Sequence, residues 1–148
     1  MWLNTLIKNT LIADTGYLVA LSNPRERFHQ CCIEVSQVLE GDLITTWPVI
    51  TETCHYLLKR QGVAAQASLL DKVARQLISV WAIPDNQAIR LKALMLQYAD
   101  LPMDLADGSL VILAEALGHG RILSTDQRDF HTYRWKNHQP FENLLLPD

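Results

Sequence analysis

The sequence predicts an α/β protein with a mostly parallel central sheet that helices cover on both faces. Two observations support this class. Short strand-like runs alternate with segments whose apolar residues recur at helical spacing, and the connections between them are short. Strands that alternate with helices pair in parallel, because each helix returns the chain for the next strand. In such folds the functional site lies at the carboxyl ends of the strands.

Four segments are predicted to be strands: residues 10–13, 43–47, 80–83 and 121–125. Each is short and apolar, and turn-forming or acidic residues follow the first, third and fourth. Residues 144–146 form a candidate edge strand. Trp47 and Trp81 fall within the predicted strands, so both are expected in the core.

Apolar residues at helical spacing predict six further elements between and after these strands: residues 29–39, 48–61, 64–78, 88–98, 104–117 and a short helix at 129–133. Pro48 suits the opening turn of its helix, and Gly62 follows the end of that helix. Residues 17–21 fit either one helical turn or two.

Composition predicts one globular domain over residues 1–148. The chain has a mass of 16.8 kDa and is 49% hydrophobic and 20% charged. No composition shift or linker divides it, and residues 1–9 precede the first strand as an extension with no assigned role. No apolar run approaches the ~20 residues of a membrane span, and no signal peptide is expected.

Cysteine content and net charge suggest the compartment and the partners. Three cysteines, two of them adjacent, cannot build a disulfide framework, so a reducing cytoplasm is expected. The formal charge of −3 argues against binding nucleic acid by bulk positive charge. The positions of the acidic residues matter more than their sum.

Four acidic residues lie at strand ends or early in the following helix: Asp14, Glu52, Asp107 and Asp126. In a parallel sheet these side chains converge on one edge, where they repel one another unless a cation neutralises them. Hard carboxylate oxygens suit Mg²⁺ or Mn²⁺. A metal-bound water could then attack phosphorus while the metal offsets charge on the leaving oxygen.

Helix capping is the competing interpretation of each acid taken alone. Aspartate after a strand is a favoured N-cap, and acids in a first turn complement the helix dipole. Asp104 illustrates this, since Asp107 follows three residues later in the manner of a capping box. Capping does not predict acids at every strand end, however, so the joint pattern favours a metal site.

Three segments resemble the PIN-domain nucleases, which include the VapC toxins of bacterial toxin–antitoxin pairs. They read LIADTG at residues 11–16, TE at 51–52, and the stretch from LPMDLAD at 101–107 to STDQRDF at 124–130. The last segment is the most specific. Their order and spacing suit the family from about Thr10 onward.

The resemblance implies a three-layer α/β/α sandwich and a Mg²⁺- or Mn²⁺-dependent endoribonuclease that hydrolyses RNA. It also implies a small antitoxin partner and a homodimer. The acids Asp14, Glu52, Asp107 and Asp126 would be catalytic metal ligands, with Asp104 as a possible outer ligand. Without these five of the 16 acids, 11 remain against 13 basic residues, so an RNA substrate is compatible with the charge.

Substrate positioning is expected from Ser124 and Arg128. Ser124 occupies a position where the family often has Thr, and its hydroxyl could bond the neighbouring carboxylate. Arg128 follows Asp126 closely. Lys59 and Arg60 are interpreted first as favourable charges at a helix C-terminus rather than as RNA contacts.

Three other functions are considered. A catalytically silent module of the same fold could bind metal or RNA, and a PIN ribonuclease could serve RNA processing rather than act as a toxin. A receiver-like phosphate-binding module is disfavoured, because Asp14 has no adjacent acid and no Lys closely follows Asp126. Zinc spacings and nucleotide-binding glycine motifs are absent from the sequence.

Overall fold

A computed structural model describes residues 9–147. Its strands are β1 Thr10–Ala13, β2 Asp42–Thr46, β3 Ile78–Trp81, β4 Arg121–Leu123, β5 Arg134–Trp135, β6 Gln139–Pro140 and β7 Glu142–Asn143. Five of them form one sheet in the order β3-β2-β1-β4-β7, and every adjacent pair is parallel. The other two, β5 and β6, form a separate antiparallel hairpin.

Within residues 9–147, seven α-helices connect and cover the strands, which agrees with the predicted three-layer sandwich. Their bounds are α1 Thr15–Ser22, α2 His29–Val38, α3 Trp47–Gln61, α4 Val63–Ala74, α5 Ala88–Gln97, α6 Leu105–Leu117 and α7 Gln127–Thr132. None of the described helices is long and apolar enough to cross a membrane.

The central strand β1 brings the carboxyl ends of its two neighbours together. Its Ile12 pairs with Ile44 of β2 on one side and with Ile122 of β4 on the other. Burying aliphatic side chains such as Ile12 and Ile122, both fully shielded from solvent, provides the main driving force for this arrangement. The residues that follow β1, β2 and β4 therefore start from a common edge.

Helix α6 is fixed against the sheet by apolar packing and one buried polar contact. Leu110, Val111 and Leu113 are fully buried. The Ser109 and Thr46 hydroxyls lie 2.5 Å apart, and Ser109 also donates to the carbonyl of Ala106 at 2.6 Å. This contact joins the first turns of α6 to the end of β2.

The sequence-based prediction of a helix through residue 78 is wrong at its end. Helix α4 stops at Ala74, and Gln76 adopts a left-handed conformation with φ of 61°. The amides of Gln76 and Leu77 return to the carbonyls of Val73 and Lys72, as in a Schellman motif. Glycine usually marks this position, so a glutamine there gives no stop signal.

Two further predictions about the strands need correction. The edge strand expected at residues 144–146 lies instead at β7, because Glu142 and Asn143 pair with β4. The hairpin of β5 and β6 was not predicted, since Lys136 and Asn137 make its turn with positive φ but without glycine. Of the predicted extension at residues 1–9, all but Asn9 lies outside the described residues.

Candidate active site

Asp14 is the most deeply buried acid at the sheet edge, with 5% of its surface exposed. It follows β1 directly and caps α1, because its Oδ1 accepts a hydrogen bond from the Thr15 amide at 2.7 Å. Its Oδ2 accepts a second bond from Ser124 Oγ at 2.8 Å. Both carboxylate oxygens are therefore held in one orientation.

Ser124 connects the ends of β1 and β4. Its hydroxyl donates to Asp14 and accepts from the Asp126 amide at 2.9 Å. The side chain of Asn143 holds Ser124 from the other side, accepting from its amide at 3.3 Å and donating to its carbonyl at 2.9 Å. Nothing in the sequence singles out Asn143, because its role depends on the pairing of β7 with β4.

Asp104 and Asp107 form the capping box of α6. The Asp107 amide donates to Asp104 Oδ1 at 2.8 Å, and the Asp104 amide donates to Asp107 Oδ2 at 3.4 Å. Asp126 likewise caps α7, because its Oδ1 accepts from the Asp129 amide at 3.1 Å. The same carboxylates therefore cap helices and lie together at one edge of the sheet, so helix capping and a shared site are compatible.

Glu52 approaches this edge from the second turn of α3. Its carboxylate interacts with Asp104 and with the Thr15 side chain. Thr15 Oγ1 is buried and, like Tyr133 Oη, has no hydrogen-bond partner among the described residues. The Thr15 side chain favours the charged form of Glu52 and so opposes the rise in the pKa of Glu52.

A cavity of about 420 Å³ opens at this edge of the sheet. All five predicted metal-binding acids line it, whereas Ser124 lies buried beneath it and Arg128 is not among its lining residues. Three further charged residues line the cavity: sequence reasoning missed Glu26 and Asp129, and it interpreted Arg60 as a helix-end charge.

Close packing brings the Asp14 and Asp126 segments together. A Cβ added at Gly16 would lie 1.9 Å from Thr125 Oγ1, so only glycine lets α1 approach the β4–α7 connection this closely. The short distance between these two segments keeps their acids on the same cavity wall.

Burial and the negative charge of neighbouring acids raise the pKa values of Asp14, Glu52 and Asp107. The pKa of Asp14 rises to about 6, mainly because it is buried and further because Asp126 and Glu52 are negative; the bonds from Ser124 and Thr15 oppose the rise. Burial, then Asp104 and Asp14, raise the pKa of Asp107 to about 8. Burial and Asp104 also raise the pKa of Glu52.

The donor set matches a hard divalent cation. Carboxylate oxygens with no nitrogen or sulfur ligand are what Mg²⁺ and Mn²⁺ prefer, and a cation would relieve the repulsion that raises these pKa values. Among residues 9–147, however, no three His, Cys, Asp or Glu side chains already stand in an arrangement that could hold a metal ion.

An apolar groove of about 680 Å³ adjoins the acidic cavity and shares Glu52, Tyr56 and Asp104 with it. Trp47 and Leu105 line the groove with about half of their surfaces exposed. The expectation that Trp47 lies in the core is therefore wrong. Strand β2 ends one residue earlier, and Trp47 opens helix α3 instead.

Comparisons with known proteins identify the fold. No protein-family model matches the chain. Its sequence is 28% identical over 127 residues to Ribonuclease VapC26 of Mycobacterium tuberculosis (strain ATCC 25618 / H37Rv), covering 84% of this chain and 92% of that protein. The crystal structure of Mycobacterium tuberculosis VapC20, a Sarcin-Ricin loop cleaving toxin, matches with a TM-score of 0.74. That match covers 80% of this chain and 91% of VapC20, at 14% identity.

The chain has a VapC-like PIN fold. The resemblance and the fold class predicted from the sequence are thereby confirmed. The roles of the individual acids in this VapC-like chain stay predictions, because the comparisons address the fold and the overall similarity rather than single residues.

Replacing Asp107 should change how stability depends on pH in a chelating buffer. Because folding raises the pKa of Asp107 from 3.8 to about 8, the folded chain holds a proton that the unfolded chain releases. Stability should therefore fall between pH 4 and pH 8. The variant Asp107→Asn avoids this loss, so at pH 8 its Tm should be higher by at least about 2–4 °C, the shift that each kcal/mol produces in a domain of this size.

Thermal melts by circular dichroism at pH 5 and pH 8 measure the effect. The matched control is Asp100→Asn, at an exposed aspartate outside the cavity lining. It should melt in parallel with the unmodified chain at both pH values. A Tm difference between Asp107→Asn and the unmodified chain that does not change with pH would contradict the electrostatic explanation.

Proposed function

We propose that this chain is a toxin endoribonuclease of a toxin–antitoxin pair, a hydrolase that cleaves phosphodiester bonds of RNA. One observation carries the proposal: acids from four separate segments line a single cavity at the carboxyl edge of a VapC-like sheet. The similarity to Ribonuclease VapC26 supports the reaction class. We further propose that the protein acts in the cytoplasm, for which its free cysteines are suited.

We propose Mg²⁺ or Mn²⁺ as the cofactor, held by Asp14, Glu52, Asp107 and Asp126, with Asp104 as an outer ligand. Bound there, the cation would supply an activated water and offset charge on the leaving oxygen. The capping bonds of Asp107 and Asp126 restrict how these ligands can turn.

Two residues are proposed to support the reaction from outside the ligand set. Ser124 keeps Asp14 oriented through its 2.8 Å bond and, by favouring the charged form, opposes the rise in the pKa of Asp14. Arg128 is exposed near Asp129, where its positive charge partly offsets the rise in the pKa of Asp129 that burial and Asp126 cause, and it would attract the RNA strand from the rim of the site.

We propose that the antitoxin is a small protein, a segment of which covers the cavity and the adjoining apolar groove. An apolar surface next to an acidic site suits a peptide that presents both apolar and basic side chains. A ribonuclease of RNA processing would have the same cavity but would need no antitoxin. The toxin and the processing enzyme would therefore catalyse the same reaction, and only their effect on the cell would distinguish them.

Cleavage should depend on the metal and on the buried acids. The purified chain should cleave a single-stranded oligoribonucleotide in Mg²⁺ or Mn²⁺ and stop when EDTA is added. The variants Asp14→Asn and Asp107→Asn should each lose at least about 100-fold in rate, because a ligand to the cation is removed. Gel electrophoresis of end-labelled RNA measures the products.

The cleavage assay uses Asp100→Asn as the matched control and circular dichroism to verify that each variant is folded. Undiminished cleavage by either folded site variant would contradict the metal assignment. Metal binding without cleavage by the unmodified chain would favour the silent module instead.

Expression in bacteria should separate the toxin from a processing enzyme. Induction of the unmodified chain should arrest growth, whereas Asp14→Asn should not, because arrest requires the catalytic site. Co-expression of the small protein encoded beside it should restore growth. Normal growth under induction, with active ribonuclease in the lysate, would contradict the toxin assignment and favour RNA processing.

We also propose that the chain forms a homodimer. Helix α5 exposes Ile89 and Leu96, which are seven residues apart and so share one face, with 80% and 68% of their surfaces accessible. Sedimentation equilibrium should give twice the mass of 16.8 kDa at micromolar concentration. A single species of monomer mass would contradict the proposal.

A further inference from the structure

Arg60 is the one basic side chain among the described residues that line the acidic cavity. It lies on α3 four residues after Tyr56 and eight after Glu52, so the three side chains share one face of the helix. Along the axis Arg60 is about 12 Å from Glu52, at a rise of 1.5 Å per residue. It therefore stands on the same wall as the proposed ligand but away from it.

Two contacts hold the Arg60 guanidinium at the cavity. Its Nη1 donates to Glu26 Oε1 at 2.5 Å, and its Cζ lies 5.0 Å from the centroid of the Tyr56 ring. The side chain still keeps 48% of its surface exposed. Since the bond to Glu26 uses Nη1, the remaining N–H groups of the planar fork can reach a phosphate oxygen.

The charge of the cavity explains why such a cation matters for RNA. Seven carboxylates line the cavity, and a strand that carries one negative charge per nucleotide must approach them. A metal held by the acids would offset charge at the scissile phosphate. The neighbouring phosphates would still face a negative surface, except where Arg60 lies.

We propose that Arg60 is a substrate-positioning residue that binds a phosphate next to the scissile one, with Glu26 orienting it in the absence of RNA. This inference rests on the proposed ribonuclease function and names a contact for its substrate. Guanidinium groups suit phosphate because their parallel N–H groups match two of its oxygens. The phosphate would bind the N–H groups that Glu26 leaves free, while the negative charge of Glu26 still repels it.

Lys59 shows why helix-end charge alone does not account for Arg60. Both residues lie in the last turn of α3 and complement its dipole equally. Only Arg60 lines the cavity, whereas Lys59 is exposed and outside the lining. A purely structural ion pair with Glu26 is the other explanation, and it makes a different prediction for Glu26.

Fluorescence anisotropy with a labelled single-stranded oligoribonucleotide tests the contact. Binding is measured in Mg²⁺ at several salt concentrations, with Asp107→Asn as the background so that the RNA stays intact. Adding Arg60→Ala should raise the Kd about tenfold, as expected for a lost charge-assisted bond. The slope of log K against log salt should fall in magnitude by about 0.7, the value for one phosphate contact on a single strand.

Three further variants make the outcome decisive. Lys59→Ala removes the same charge from the same helix end and should leave the slope unchanged. Arg60→Gln, which keeps a hydrogen bond donor for Glu26, should lower the slope as Arg60→Ala does. Glu26→Gln should tighten binding, because it removes a negative charge that repels the phosphate beside Arg60. All variants are made in the Asp107→Asn chain. The Tm of each is measured before its RNA binding is compared, to verify that the variant is folded.

Two results would overturn the inference. If Arg60→Ala and Lys59→Ala change the slope equally, Arg60 contributes only general charge. If Glu26→Gln weakens binding as much as Arg60→Ala, the ion pair is structural. Cleavage by the chain with both residues intact is assayed in parallel, so failure of the ribonuclease function itself is recognised separately by the absence of metal-dependent cleavage.

Discussion

The structure depends on the convergence of carboxylates at one edge of a parallel sheet. Asp14 and Asp126 follow adjacent strands, and Ser124 bonds to both of them. Such a cluster is unfavourable by itself, since burial and repulsion raise the pKa of Asp14 to about 6 and that of Asp107 to about 8. The acids nevertheless stay together, because packing of the surrounding apolar core and the capping bonds hold them in place.

Helix capping fixes the positions of several acids in this carboxylate cluster. Asp14, Asp104 and Asp126 each satisfy an amide at the start of a helix, so their backbones have little freedom to move apart. Each carboxylate oxygen has more than one lone pair, so an aspartate that caps a helix can still bind a ligand. Stability and the proposed function thus use the same residues, and the repulsion between them limits how stable the domain is at neutral pH without a cation.

The sequence predicted the parallel sheet and four of its five strands, because alternating strands and helices leave few other topologies. It also predicted the acids, since their positions at strand ends follow from the same pattern. Asn143 and the pairing of β7 could not be predicted, because they depend on contacts between distant segments. The end of α4 was missed because Gln76 occupies a position where glycine usually gives the signal.

For Arg60, a correct helix prediction supplies part of the functional argument. The sequence places it four residues after Tyr56 and eight after Glu52, so its shared face was implied by helical spacing. The packing of α3 against the rest of the domain decides which basic residue near that helix end faces the cavity. The Glu26 carboxylate and the Tyr56 ring then fix the guanidinium beside an otherwise negative surface. Among the described residues that line the cavity, Arg60 is the one cation beside seven carboxylates. Its position there suits a contact to phosphate better than a role limited to complementing the helix dipole.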